Sequence, residues 1–141
     1  MKIAIVNGPN LNLVGNREKS IYGEVSLSDY LEKLASNSSN ELLFFQSNIE
    51  GELIDFLQNT EVDGFILNAG GYTHTSVALR DCVAGIYTPV VEVHISNITS
   101  RESFRHNSLL SPVCAGCILG FGLTGYELAI HYFEKTIKYF F

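Results

Sequence analysis

Two pairs of residues in this chain have the types and placement that proton-transfer chemistry needs. Tyr22 follows Arg17 by five positions in the segment NGPNLNLVGNREKSIYG. A free phenol ionises near ~10 and is a weak base at neutral pH, but an adjacent guanidinium corrects this by stabilising the phenolate. His74 and His94 come from separate segments, NAGGYTHTS and EVHISN. Imidazoles change charge near neutrality, so two of them converging on one ligand can shuttle protons. Asn68 and Ser96 stand close to them in sequence as hydrogen-bonding groups. His106 and His131 fall at the end of, or within, expected helices and read as structural.

Other patterns carry less. Gly70 and Gly71 lie in a loop that lacks the GxxxxGKS/T pattern of a phosphate loop, and no GxGxxG opens a helix after the first apolar run. The run GFGLTG at Gly120 to Gly125 reads as a tight turn from strand to helix. Cys114 and Cys117 have the spacing of a redox or metal pair. On a strand, residues three apart face opposite ways, so no shared ion is expected and no metal site is assigned. Cys82, Cys114 and Cys117 in a chain without an export signal read as free, buried thiols.

The elements that must position these residues alternate in type. Lys2 to Asn7, Leu42 to Ser47, Gly64 to Asn68, Val90 to His94 and Val113 to Gly120 read as strands, four of them nearly all apolar, as strands covered on both faces are. Ser26 to Ser36 carries Leu27, Tyr30, Leu31 and Leu34 at helical spacing, with Ser26 as N-cap and Asp29 in the first turn. Gly51 to Gln58, Thr75 to Ala84 and Thr124 to Tyr139 repeat the helical pattern, with a weaker short helix from Ser100 to about His106. Strand and helix in alternation imply a parallel sheet with right-handed crossovers, here a five-stranded, flavodoxin-like α/β sandwich of order 2-1-3-4-5. In such sheets ligands bind beyond the carboxyl ends of the strands, where Arg17, Tyr22, His74 and His94 fall. The connection from about Leu11 to Glu24 is longer than an ordinary one and reads as a lid.

Composition sets the outer bounds. At 141 residues the chain fits one domain over 1–141, and a chain of that size buries roughly 70% of its unfolded surface. With 46% hydrophobic and 17% charged residues, the chain reads as compact, with surface hidden between subunits. The formal charge of −6 opposes binding of nucleic acid or anionic lipid over a broad face, so any anion site is local, drawing on Arg17, Arg101 and Arg105. The start MKIAIVNGPN is too short in its apolar part for a signal peptide, and no run of 18 apolar residues follows. A soluble, cytoplasmic protein is expected.

Taken together, NGPNLNLVGNRE with IYG, ILNAGGYTHTS, and EVHISN with RESFR resemble type II 3-dehydroquinate dehydratase, and QSNIEGELID, ALRDC and LSP extend the resemblance nearly end to end. The resemblance implies dehydration of 3-dehydroquinate to 3-dehydroshikimate through an enolate, without metal or cofactor. It also implies a homododecamer built as a tetramer of trimers. By motif, Tyr22 matches the base, Arg17 the cation that lowers its pKa, Asn10 the group that stabilises the enolate oxygen, and His94 the acid, with Glu92 in support. Asn68 and the backbone amides of Ile95 and Ser96 match the groups that hold the substrate carboxylate. His74, Arg105 and, from a neighbouring subunit, Asp81 match those at the ring hydroxyls, with Arg101 in support. Ile49 and Asn107 depart from the family, standing where histidines are common.

Two other functional classes are compatible with an α/β sandwich of this kind. A flavodoxin-like module that binds FMN or a small ligand without catalysis shares the fold, and a fold alone does not choose a function. A phosphoacceptor receiver requires acidic residues after the first strand and an aspartate after the third, where this chain has Asn7, Asn10 and Asn68.

Overall fold

The computed structural model describes residues 1–15 and 25–137; Arg17 and Tyr22 lie outside these. Five parallel strands form one sheet: β1 (Lys2–Asn7), β2 (Glu41–Gln46), β3 (Gly64–Asn68), β4 (Val90–His94) and β5 (Gly116–Leu119), in the order β2-β1-β3-β4-β5. The expected strand order is therefore the observed one.

Period-2 alternation divides the strand side chains between two cores. Ile3, Ile5, Ile66, Val91 and Val93 meet α1 (Leu27–Asn37) and α5 (Thr124–Ile137) through Leu27, Leu31, Tyr126, Ala129, Ile130 and Phe133. Ala4, Val6, Phe65, Leu67 and Val90 meet α2 (Glu50–Asn59) and α4 (Val77–Gly85) through Leu53, Leu57, Leu79, Cys82 and Val83. A single helical turn, α3 (Tyr72–Thr75), precedes α4. Ser26 caps α1 as the pattern predicts, accepting from the Asp29 N–H at 3.2 Å, and Ser76 caps α4 in the same way from Leu79 at 2.8 Å.

The structure differs from the sequence expectations in three places. β1, β3 and β4 are buried, but the sheet edges are not: β2 exposes Phe44, and β5 exposes Gly116 and Cys117. Cys117 is thus not the buried thiol expected. β5 is also shorter than Val113 to Gly120, because Pro112 lies in a 3₁₀ turn (Ser111–Val113) whose fixed φ and missing N–H do not suit a ladder. Cys114 ends that turn, so the strand argument that set it opposite Cys117 does not apply. The short helix expected from Ser100 resolves into two 3₁₀ turns, Ile98–Ser100 and Ser103–Arg105.

Of the segment expected as a lid, residues 11–15 are anchored: Leu11–Leu13 form a 3₁₀ turn, and Leu11 and Val14 are buried in the core beside α1. Residues 16–24 lie outside the described part. Among the described residues no helix is long and apolar enough to cross a membrane.

The ends of β1 and β3 are held in close contact. The Gly8 N–H donates to the Asn68 carbonyl at 2.7 Å. A Cβ on Gly8 would meet the Ala69 carbonyl oxygen at 2.5 Å. Gly8→Ala is expected to destabilise the fold by about 1–3 kcal/mol, because backbone and not a flexible side chain must shift. Urea unfolding at neutral pH measures this; unchanged stability would mean that the two loops have room to part.

Candidate active site

A cleft of about 300 Å³ opens where β1, β3 and β4 end. Asn10, Asn68, His74, His94, Ile95, Ser96, Arg101 and Arg105 all line it. Of the residues expected at the site, these eight come together; Glu92 sits directly behind His94, and Asp81 stands apart. Its side chain is 65% exposed and paired with Arg80 at 2.9 Å.

Behind the cleft wall lies a buried carboxylate. Glu92 is fully buried on β4, and its oxygens accept from His94 Nε2 at 2.9 Å, from Ser108 Oγ at 2.6 Å and from Ser111 Oγ. Burial opposes its ionisation, but the hydrogen bonds from His94, Ser108 and Ser111, with the His94 charge, outweigh burial and bring the carboxyl down to about 2. An ionised Glu92 only accepts, so His94 Nε2 carries a proton and Nδ1 is left for the cleft.

His74 has the opposite tautomer. Its Nδ1 lies 2.8 Å from the Asn107 carbonyl, which can only accept, so Nδ1 donates and Nε2 is the acceptor. The His74 and His94 rings are 6.5 Å apart at 20°. Because His74 binds the main chain of residue 107, the departure from histidine there leaves this contact intact.

Asn68 is oriented from two sides. The Gly70 N–H donates to its Oδ1 at 3.2 Å, and its Nδ2 donates to the Tyr126 hydroxyl at 3.1 Å. That hydroxyl in turn donates to Asn7 Oδ1 at 2.6 Å, so it must accept from Asn68. The second Nδ2 hydrogen remains, and the cleft receives a donor from Asn68. Burial raises the Tyr126 phenol pKa, against a smaller lowering from Asn68, so it stays protonated and the order of donors is kept.

The rim is cationic and tied down. Arg101 Nη1 donates to Ser96 Oγ at 3.3 Å, and the Arg101 carbonyl accepts from His106 Nε2 at 2.9 Å. Arg105 Nε donates to Glu102, and its guanidinium lies 5.0 Å from the Phe104 ring centre. Asn10 adopts a left-handed conformation with φ 70°, which asparagine tolerates better than most residues. Its N–H donates to Asn48 Oδ1 at 3.0 Å. On an acidic chain, Arg101 and Arg105 bring two positive charges to one cleft, one of them paired with Glu102.

The profile of the family described as dehydroquinase class II matches residues 1–134. The chain belongs to this family. The 3-dehydroquinate dehydratase of Exiguobacterium is 55% identical over 134 residues, covering 93% of this chain and 92% of that one. That of Prochlorococcus marinus is 54% identical over 143 residues, covering 98% and 99%. The crystal structure of type II dehydroquinase from Butyrivibrio crossotus matches with a TM-score of 0.90 at 43% identity, covering 95% of this chain and 97% of that one. A five-stranded sheet of order 2-1-3-4-5 is thus the fold of a class II dehydroquinase.

Sequence reasoning missed Ser108, Ser111, Asn7 and Tyr126. The serines sit 16 and 19 positions from Glu92 with no periodic signal to link them. Tyr126 reads in sequence as one more apolar position of α5. Only a question asked of Glu92, namely what satisfies a carboxylate in a buried strand, points toward hydroxyls elsewhere.

Two predictions follow from this geometry. Because folding lowers the Glu92 pKa from 4.5 to about 2, its stabilising effect is complete above pH 4.5 and is lost as pH falls toward 2. Glu92→Gln should therefore be less stable at neutral pH and show a flatter fall in stability between those limits, measured by urea unfolding across pH; parallel curves would contradict it. Tyr126→Phe leaves Asn68 Nδ2 and Asn7 Oδ1 without their shared partner and should cost about 1–3 kcal/mol. Calorimetry giving no change would show that water replaces the hydroxyl.

Proposed function

We propose that this chain is a type II 3-dehydroquinate dehydratase, a hydro-lyase that removes water from 3-dehydroquinate in the anti sense, through an enolate, to give 3-dehydroshikimate. Family membership over residues 1–134 carries this reading. Its setting is the cytoplasm, in the shikimate pathway toward aromatic amino acids or in quinate breakdown.

In this reading residues 1–141 form a single catalytic domain, with the lid expected at about residues 11–24 beginning only after the anchored residues 11–15. Tyr22 as the phenolate takes the proton next to the ketone, and Arg17 lowers its pKa. Asn10 stabilises the enolate oxygen, directly or through water, an electrostatic task worth ~3 kcal/mol per donor. His94 then gives a proton to the departing hydroxyl. Its Nε2 hydrogen bond to the ionised Glu92 supports the role, because it fixes the ring and leaves Nδ1 to face the substrate.

The donors and acceptors of the cleft support the assignment of its two ends. A carboxylate accepts only, and Asn68 offers a donor to it, joined by the backbone amides of Ile95 and Ser96. A hydroxyl can donate, and His74 Nε2 offers an acceptor, with Arg105 assigned to the same hydroxyls and Arg101, tied to Ser96, in support. Asp81 completes the site from a neighbouring subunit, which accounts for its position away from the cleft of its own chain. The assembly is a homododecamer, a tetramer of trimers, in keeping with the exposed Phe44, Tyr87, Phe104 and Phe121.

Addition of 3-dehydroquinate to the purified protein should produce the absorbance of a conjugated enone, with and without a chelator present; its absence under both conditions would overturn the proposal. Tyr22→Phe should lower kcat by roughly 100-fold or more with KM little changed, as loss of a proton-transfer group does. Near-parental kcat would remove Tyr22 as the base.

A further inference from the structure

Cys117 is a nucleophilic group that the proposed elimination does not use. It is the register partner of Glu92 on adjacent parallel strands, so both side chains leave the sheet on one face, and His94 follows on that face two residues along β4. A carboxylate oxygen of Glu92, a ring nitrogen of His94 and the Cys117 sulfur all lie within 4.8 Å of one another. No other such group of three occurs among the described residues. We infer that Glu92, His94 and Cys117 form a binding site for a soft divalent cation of the Zn²⁺ class, and that an ion there inhibits turnover.

The donor set selects the ion. Carboxylate, imidazole and thiolate are the groups that Zn²⁺ takes in tetrahedral array at ~2.0–2.3 Å, and a thiolate with an imidazole disfavours Mg²⁺ and Ca²⁺. Tetrahedral bonds of that length set the ligand atoms roughly 3.3–3.8 Å apart. Glu92 Oε1 and His94 Nε2 now share a proton at 2.9 Å and need open by only a few tenths of an ångström. The sulfur must move inward, and Cys117 is exposed, with one side-chain torsion to turn. Ser108 and Ser111 already hold the Glu92 carboxylate, as hydrogen-bonding groups commonly do for a metal ligand. Cys114 is not among the three groups whose ligand atoms converge.

Binding rearranges two protons. The Nε2 proton of His94 moves to Nδ1, and the thiol proton leaves to solvent as the sulfur binds. An imidazole with an ion on Nε2 cannot become an imidazolium, and its Nδ1–H is a far weaker acid. The inhibition therefore rests on the reading of His94 as the acid; the site itself does not.

Titration of the purified, chelator-treated protein with Co²⁺ tests the site by spectrum. The expected result is one ion per chain and a thiolate-to-cobalt charge-transfer band that Cys114→Ala keeps and Cys117→Ser loses. Ser111→Ala should weaken Co²⁺ binding by on the order of 10-fold. In turnover, Zn²⁺ should inhibit the parent, a chelator should reverse it, and Cys117→Ser should need on the order of 10-fold more Zn²⁺ or greater, each variant scaled to its own rate without added metal. No thiolate band in the parent, or a band that survives Cys117→Ser, would overturn the site. A band without inhibition by Zn²⁺ would overturn the inhibitory claim. Because the cobalt spectrum needs no turnover, failure of the dehydratase assay is distinguishable from failure of this site.

Discussion

The site depends on one buried charge. Glu92 has no exposed surface, and a carboxylate in that position is tolerable only if its acceptors are filled. Three donors fill them, and each comes from a different place: His94 from the same strand, Ser108 from the loop that follows the 3₁₀ turns, Ser111 from the turn before β5. Satisfying the charge thus fixes the imidazole ring, the loop over α4 and the entry into the last strand together. The cost of leaving any of these unpaired is what makes the arrangement rigid.

A second network sets the other end of the cleft. Asn7, Asn68 and Tyr126 join β1, β3 and α5 through hydrogen bonds that can run in one direction only, because the Gly70 amide decides which end of Asn68 accepts. The result is polarity at the cleft: a donor at Asn68, an acceptor at His74. A ligand with a carboxylate at one end and hydroxyls at the other meets both.

Much of this was legible in the sequence, for physical reasons that differ by element. β1, β3 and β4 read correctly because central parallel strands are apolar throughout, and α1 read correctly from Ser26 and its leucines. The last strand reads too long because Val113 is apolar, while Pro112 beside it holds the chain in a 3₁₀ turn. Of the eight cleft residues, His74 and His94 with Asn68 and Ser96 beside them are legible because strand ends locate sites in this sheet type, Arg101 and Arg105 because they are cations on an acidic chain, and Asn10 and Ile95 only through the family resemblance. The serines around Glu92 were not found, because a lone hydroxyl distant in sequence leaves no pattern. Cys117 was misjudged for the same reason that β2 was: an edge strand and a central one look alike until their neighbours are known.

The contact between His74 and the Asn107 carbonyl has a wider meaning. The amide backbone is chemically the same whatever side chain hangs from it, so the ring is positioned by a group that no substitution short of a change in chain path can remove. The identity of residue 107 is therefore decoupled from this contact. A difference from relatives at such a position carries no information about whether the adjacent machinery is intact, while a one-residue deletion in the same loop would carry a great deal.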